Sequence, residues 1–154
     1  MNQAGEFTYR RVHRASPELL FDCLTQPEHL THFWGPDGTT TPVDGITVDL
    51  RPGGVFETVM VNDADGSSYT MRAIYRDVRR PALLVWTEAD IEGGMTTTIT
   101  LADLGDGRTE VVTHQTNMPP AMAAPEALRG FETSLRRFAD YITQIPPTRD
   151  PNSS

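Results

Sequence analysis

The feature that most constrains this chain is an amphipathic segment near its C-terminus, from Leu128 to Ile142. Its apolar residues recur at steps of three and four, which places them along one stripe of a helix. These residues are Leu128, Phe131, Leu135, Phe138 and Ile142. Pro125 favours a helix start, and Pro146-Pro147 cannot continue the hydrogen-bond ladder. The segment therefore predicts one long helix, whose stripe needs a large apolar partner.

The residues before this helix supply that partner as strands. Phe7 to Val12 alternates apolar and polar residues and predicts a first strand. Beyond Thr41, short β-rich runs are separated by turn signals such as Asp65-Gly66 and Asp106-Gly107, which is typical of an antiparallel meander. The predicted runs are Val43 to Leu50, Gly54 to Val61, Ser68 to Val78, Leu83 to Glu88, Thr96 to Leu101 and Thr109 to Thr116.

Two short helices are predicted between the first and second strands. Ser16 can cap the first, with Pro17 at its first position, and Leu19, Leu20, Cys23 and Leu24 are expected to face inward. Pro27 opens the second helix, and Gly35-Pro36 ends it. The whole pattern predicts an α+β fold in which a curved, antiparallel, seven-stranded sheet wraps around the long C-terminal helix.

Length and charge limit the class of protein. A chain of 154 residues fits one domain, which we place at residues 1–145, followed by a polar, proline-rich tail at 146–154. The net charge of −8 disfavours nucleic acid and anionic membranes as partners. No apolar run approaches the roughly 20 residues of a membrane span, and the N-terminus lacks the apolar core of a secretory signal. With Cys23 as its single cysteine, the chain is expected in the cytoplasm.

Several motifs give the chain a resemblance to a known family. The opening run Ser16 to Asp22, the segment Phe33-Trp34-Gly35-Pro36, the turn from Asp49 to Gly54 and the helix body from Leu135 to Tyr141 carry it. Together they resemble the family related to the C-terminal domain of the heat-shock-protein-90 ATPase activator, within the START/polyketide-cyclase (SRPBCC) superfamily. The resemblance spans about Phe7 to Ile142 and implies the helix-grip fold. Gln115 stands where that family often has His, Asn117 where it has Gly and Phe131 where it has Trp, so a role of that histidine does not carry over.

A long helix across a curved sheet seldom fills the concavity, and the remaining space can hold an apolar ligand. We expect alternate strand residues to face this space. The run Leu83 to Glu88 has apolar residues on both faces, so the face on which Trp86 and Glu88 lie stays open. The alternative is that these side chains pack together as core. The expected lining is Phe33, Trp34, Met71, Tyr75, Trp86, Glu88, Ile99, Thr113, Gln115, Phe131 and Leu135.

Two further functions stay open on the sequence. One is an enzyme like the polyketide cyclases, with Tyr75, Glu88 and Gln115 as polar groups. The other is an interaction domain, directed at a chaperone through the acidic surface or the loop around Trp34-Gly35-Pro36. A homodimer through the sheet face or an edge strand is also open.

Other chemistry has little support in the sequence. Asp49 and Arg51 either bind a ligand carbonyl or carboxylate or form a surface ion pair. Cys23 lies on an apolar helix face without a nearby Lys or His, which favours packing over nucleophilic catalysis. The four histidines, His13, His29, His32 and His114, do not form a spaced metal motif. We expect no metal, no cofactor and no catalytic residues.

Overall fold

The structure, a computed structural model, describes residues 5–88 and 94–145. The predicted tail at 146–154 lies outside the described residues, as do residues 89–93 between two strands. The helices are α1 (Pro17–Thr25), α2 (Pro27–Leu30) and α3 (Pro125–Gln144). The strands are β1 (Phe7–His13), β2 (Thr39–Thr40), β3 (Thr47–Val48), β4 (Val55–Asn62), β5 (Ser68–Arg79), β6 (Leu83–Glu88), β7 (Met95–Gly105) and β8 (Arg108–Thr116).

All strand pairs are antiparallel and form one sheet in the order β1-β8-β7-β6-β5-β4-β2, with β3 also paired to β4. α3 lies against the inner face of this sheet: the ring of Phe131 contacts Phe7 and that of Phe138 contacts His13, both on β1. The α+β helix-grip arrangement predicted from the sequence is confirmed. In the described part of the chain, no helix has both the length and the apolar character needed to cross a membrane.

The predicted second strand, Val43 to Leu50, takes a different form. Val43–Gly45 is a single 3-10 turn, in which the Gly45 N–H donates to the Pro42 carbonyl, and only Thr47–Val48 of that run is strand. The reason is local, since Asp44-Gly45 favours a turn over extended backbone. With the additional strand Thr39–Thr40, the described residues contribute eight strands rather than seven to the same sheet.

Alternation along the central strands places their inner faces as expected. Thr97, Ile99 and Leu101 on β7 are buried, as are Val111, Thr113 and Gln115 on β8. The structure also resolves the ambiguous strand β6, because Trp86 and Glu88 are both buried on the same face, two residues apart.

The extent of burial varies among the inward-facing residues. Tyr69 is on the same face of β5 as buried Met71 and lines the space beneath α3, but it is 49% exposed because it lies near the turn of the β4–β5 hairpin. On α1, Leu20, Cys23 and Leu24 are buried, but Leu19 is only half-buried, and Phe21 is fully buried beneath the Arg80 guanidinium.

Burial along α3 changes from one end to the other. Phe138, Ala139 and Ile142, in the C-terminal half, are buried, and Phe138 contacts the ring of Phe33 at 4.9 Å between centroids. Phe131 and Leu135, in the N-terminal half, are only half-buried although they belong to the same apolar stripe. The helix therefore grips the sheet with its C-terminal half, and space remains beneath its N-terminal half.

Candidate ligand-binding site

A cavity of about 400 Å³ occupies the space between the sheet and α3. Its floor is the inner face of β5, β6, β7 and β8, with β1 at one edge and Met60 of β4 at the other. Its roof is the N-terminal half of α3, from Ala127 to Phe138, together with Met118 and Met122 from the preceding segment. The loop Trp34-Gly35-Pro36 closes one side, so the segment considered above as a chaperone contact belongs to the cavity wall.

The structure brings ten of the eleven sequence-predicted site residues to this cavity. They come from every part of the chain that the helix-grip arrangement folds together: the α2–β2 loop, four strands and α3. Whether they bind a ligand stays a prediction. The ten are Phe33, Trp34, Met71, Trp86, Glu88, Ile99, Thr113, Gln115, Phe131 and Leu135.

Tyr75 is the one predicted residue that does not line the cavity. Its side chain is 1% exposed and packs against the rings of Phe56 and Trp86, at 5.6 and 6.4 Å between centroids. Burial raises the pKa of its hydroxyl well above the ordinary value. Within the described residues this hydroxyl has no hydrogen-bond partner. Tyr75 therefore belongs to the core behind the cavity wall and is not placed to contact a ligand there.

The tryptophans form the aromatic side of the cavity. The Trp34 and Trp86 rings lie 6.2 Å apart, and both contact the buried ring of Phe56 edge to face. The Trp34 indole N–H donates to the hydroxyl of fully buried Thr58 at 3.1 Å. Because this bond fixes the plane of the indole, the wall is pre-formed.

Methionines make up much of the remaining lining. The chain has six methionines, and all five that the structure describes line the cavity: Met60, Met71, Met95, Met118 and Met122. The unbranched, polarisable thioether fills irregular space and adapts to different partners. Met71 is the one methionine among the residues predicted from the sequence. The other four lie on β4, β7 and the β8–α3 segment, and their separation along the chain gives no sign that they converge.

Few polar groups reach the cavity floor, and they cluster on β6, β7 and β8. The Gln115 side-chain amide donates to the Thr97 hydroxyl across the β7–β8 pair at 3.2 Å. Thr113 lies two residues from Gln115 on the same face of β8. Glu88, on β6, is paired in register with Met95, which is two residues along β7 from Thr97. All four polar side chains are at most 8% exposed.

The β1 edge of the cavity carries three polar residues that sequence reasoning missed: Tyr9, Arg11 and His13. The Arg11 guanidinium donates to the Tyr9 hydroxyl at 3.4 Å. Burial, and secondarily the charge of Arg11, lowers the pKa of His13 to about 4, so its imidazole is neutral at physiological pH. Extending the alternation of Phe7 and Tyr9 by four residues would have found Arg11 and His13.

Polar contacts hold α3 to the loop beside the cavity. Arg137 donates to the carbonyl oxygens of Gly35 and Pro36 at 2.8 and 2.9 Å. Arg136 pairs with the Asp37 carboxylate, and the Thr133 hydroxyl accepts from the Asp37 backbone N–H at 3.0 Å. These contacts fix the position of the helix where its apolar stripe is incompletely buried.

The remaining candidate groups lie elsewhere. The Arg51 guanidinium pairs with Asp49 at 2.9 Å, and both side chains are exposed and outside the cavity. They shape the turn in which Gly54 is needed, because a Cβ there would lie 2.0 Å from the Asp49 carbonyl oxygen. Burial raises the pKa of the Cys23 thiol to about 12, which keeps it protonated. Within residues 5–88 and 94–145, no three His, Cys, Asp or Glu side chains are grouped as metal ligands.

Comparison with known proteins adds a family match and a set of similar structures. Residues 14–143 match the family model described as Activator of Hsp90 ATPase homolog 1-like protein. No curated protein matches the chain. A solved structure from Chromobacterium violaceum is 25% identical, with a TM-score of 0.79 over 88% of this chain and 95% of that one.

Two further solved structures share the fold at lower identity. A protein from Rhodobacter sphaeroides is 21% identical, with a TM-score of 0.81 over 95% of this chain and 97% of that one. The AHSA1 protein from Silicibacter pomeroyi is also 21% identical, with a TM-score of 0.75 over 90% of this chain and 98% of that one.

Proposed function

This chain belongs to the family of Activator of Hsp90 ATPase homolog 1-like proteins, and on that premise we propose that it binds a small, mostly apolar molecule between α3 and the sheet. The fold is one that commonly binds hydrophobic ligands. The proposal concerns binding alone. Of the three polar groups considered for cyclase-like chemistry, Tyr75 lies outside the cavity, which favours a binding protein over that enzyme.

The observation that carries the proposal is the size and lining of the cavity. Its volume of about 400 Å³ falls within the range of roughly 300 to 1,000 Å³ that is usual for small-molecule sites. Apolar side chains, many of them aromatic or thioether, form most of its wall, with a few polar groups on the floor. Such a surface favours a ligand that is largely apolar and has few hydrogen-bonding groups.

The position of the cavity supports the same conclusion. A void of this size in a core is costly, since cavity-lining atoms lose their packing partners. Half-buried Phe131 and Leu135 on α3 would bury further apolar surface against an occupant. Ligand binding would thus supply packing that the chain alone does not provide.

The test is binding of the neutral fluorescent dye N-phenyl-1-naphthylamine, with a variant that fills the cavity. Ser134→Trp on α3 places an indole in the cavity, because Ser134 lines it. Glu132→Trp is the matched control, since Glu132 is exposed on the same helix two residues away. We expect the wild type and Glu132→Trp to bind the dye with similar Kd values, and Ser134→Trp to bind at least about tenfold more weakly.

Circular dichroism and thermal unfolding establish that both variants fold. Because a ligand that binds only the folded state raises Tm, the dye should raise the Tm of the wild type and of Glu132→Trp. Dye binding that Ser134→Trp leaves unchanged, in a folded variant, would overturn the cavity as the binding site.

A further inference from the structure

Among the residues that the structure describes, two buried polar groups on the cavity floor have no partner for part of their hydrogen-bonding capacity. From them we infer that the ligand carries a neutral hydroxyl group, which donates to the Gln115 side-chain carbonyl oxygen and accepts from the Thr113 hydroxyl. This inference rests on the proposed function and specifies its ligand as a hydroxylated apolar compound, of the phenol or alcohol class.

Thr113 supplies the first group. It is 5% exposed, its side chain lines the cavity, and its hydroxyl makes no hydrogen bond within the described residues. In the described residues, the Tyr75 hydroxyl is an example of a side-chain atom that is sealed from solvent and makes no hydrogen bond; the Thr113 hydroxyl is not sealed in this way. The space that reaches the Thr113 hydroxyl is therefore the cavity itself.

Gln115 supplies the second group. Its amide nitrogen donates to Thr97, so its carbonyl oxygen is the end that remains without a partner in the described part of the chain. The side chain is 8% exposed and lines the cavity. An amide oxygen removed from water without a new hydrogen bond is unfavourable, so a ligand group that replaces water there must be a donor.

The two groups are neighbours on one face of β8. Residues two apart on a strand point the same way, with Cα atoms about 7 Å apart. One group is an acceptor, and the other is a hydroxyl that can donate. A ligand hydroxyl is the smallest group that both donates and accepts, so it matches this pair.

The charge of the surroundings argues for a neutral group. Neither Thr113 nor Gln115 carries a charge, and a carboxylate placed between them would be desolvated without a cation. Arg11, which lines the β1 edge of the cavity, is paired in register with Val111, two residues along β8 from Thr113. Its side chain is exposed, and its guanidinium donates to the Tyr9 hydroxyl.

The experiment compares two probes of nearly equal shape, para-phenylphenol and para-methylbiphenyl, each displacing N-phenyl-1-naphthylamine. Thr113→Val and Gln115→Met each remove one hydrogen-bonding group at nearly constant volume. Thr98→Val is the matched control, because Thr98 lies on the opposite face of β7, next to Thr97. The phenol should bind the wild type and the control about 30-fold more tightly than the methyl compound, the gain typical of two hydrogen bonds.

Each cavity variant should weaken the phenol by about fivefold and leave the methyl compound unchanged or bound more tightly. Equal affinity of the wild type for the two probes would overturn the inference while dye binding upheld the proposed function. Equal losses for both probes in the variants would also overturn it, since shape alone would then explain the effect. Failure of the dye and both probes to bind the wild type would overturn the proposed function as well.

Discussion

The ring of Tyr75 stacks on the ring of Phe56, with centroids 5.6 Å apart and 12° between the planes, while its hydroxyl makes no hydrogen bond in the described part of the chain. A buried hydroxyl without a partner costs about 1 to 3 kcal/mol. Stacking and burial of the ring outweigh that cost. The ring of Tyr75 therefore stabilises the folded state, whereas its buried hydroxyl destabilises it.

Tyr75→Phe should therefore keep or increase the free energy of unfolding, by up to about 1 kcal/mol, as measured by urea denaturation. Tyr75→Leu is the comparison, because it removes the stacked ring and should lower the free energy of unfolding by about 1 to 3 kcal/mol. A clear loss of stability in Tyr75→Phe would mean that the hydroxyl does have a partner, such as a buried water.

Stability should fall with acidification because of His13. Its pKa is lowered from 6.5 to about 4 in the folded state, so between these values the unfolded chain binds more protons. This contribution is complete above pH 6.5 and is lost as the pH falls from 6.5 toward 4. The loss amounts to at most about 3 kcal/mol.

Denaturation of the wild type and His13→Gln between pH 7.5 and 5 checks this. The free energy of unfolding of His13→Gln should depend less steeply on pH than that of the wild type. The difference in free energy of unfolding between the two proteins should therefore shrink on acidification. His32→Gln is a suitable control, because His32 is exposed. Parallel curves for the wild type and His13→Gln would show that His13 titrates normally.

The Cys23 thiol should resist alkylation in the folded protein. Burial, and secondarily the charge of Asp22, raises its pKa to about 12, and the thiolate is the reactive form. Iodoacetamide at pH 8 should label it fully in denaturant but only slowly in buffer, as followed by mass spectrometry. Labelling at the same rate in both conditions would contradict this placement of the thiol.

Arg137 should control how firmly α3 is held beside the cavity. Arg137→Met removes both hydrogen bonds to Gly35 and Pro36, and we expect a loss of about 2 kcal/mol in the free energy of unfolding. Dye dissociation in stopped flow should also become faster. Arg136→Met is the control, because its exposed pair with Asp37 is worth at most about 1 kcal/mol. Similar dissociation rates in the two variants would show that the loop does not limit ligand release.

Because methionines surround the cavity, a bound ligand should affect the NMR signals of several methionine methyl groups at once. With methyl-labelled methionine, dye binding should shift the NMR signals of all five cavity methionines, Met60, Met71, Met95, Met118 and Met122. A ligand that occupies the cavity lies near thioethers from the sheet and from the segment before α3. A shift restricted to one methyl group would place the dye at a local surface site instead.

The sequence by itself determined the elements and the faces of their side chains. The three- and four-residue steps from Leu128 to Ile142 fix one stripe on a helix, and alternation fixes the inner face of β7 and β8. These patterns depend on backbone geometry within a few residues, so Thr113, Gln115 and Phe131 could be assigned to the interior side of their elements without coordinates. Asp106-Gly107 is also local, and both residues have the positive φ of a tight hairpin.

Only the tertiary structure decided where the interior is empty. Tyr75 and Trp86 face the same way and are paired in register, yet Trp86 lines the cavity and Tyr75 is sealed behind it. Likewise, Phe131 and Phe138 share one stripe, but only Phe138 is buried. The distance between α3 and the sheet makes these distinctions. That distance is set by contacts such as Arg137 with Pro36 and Phe33 with Phe138, between residues about a hundred positions apart, which no local pattern can encode.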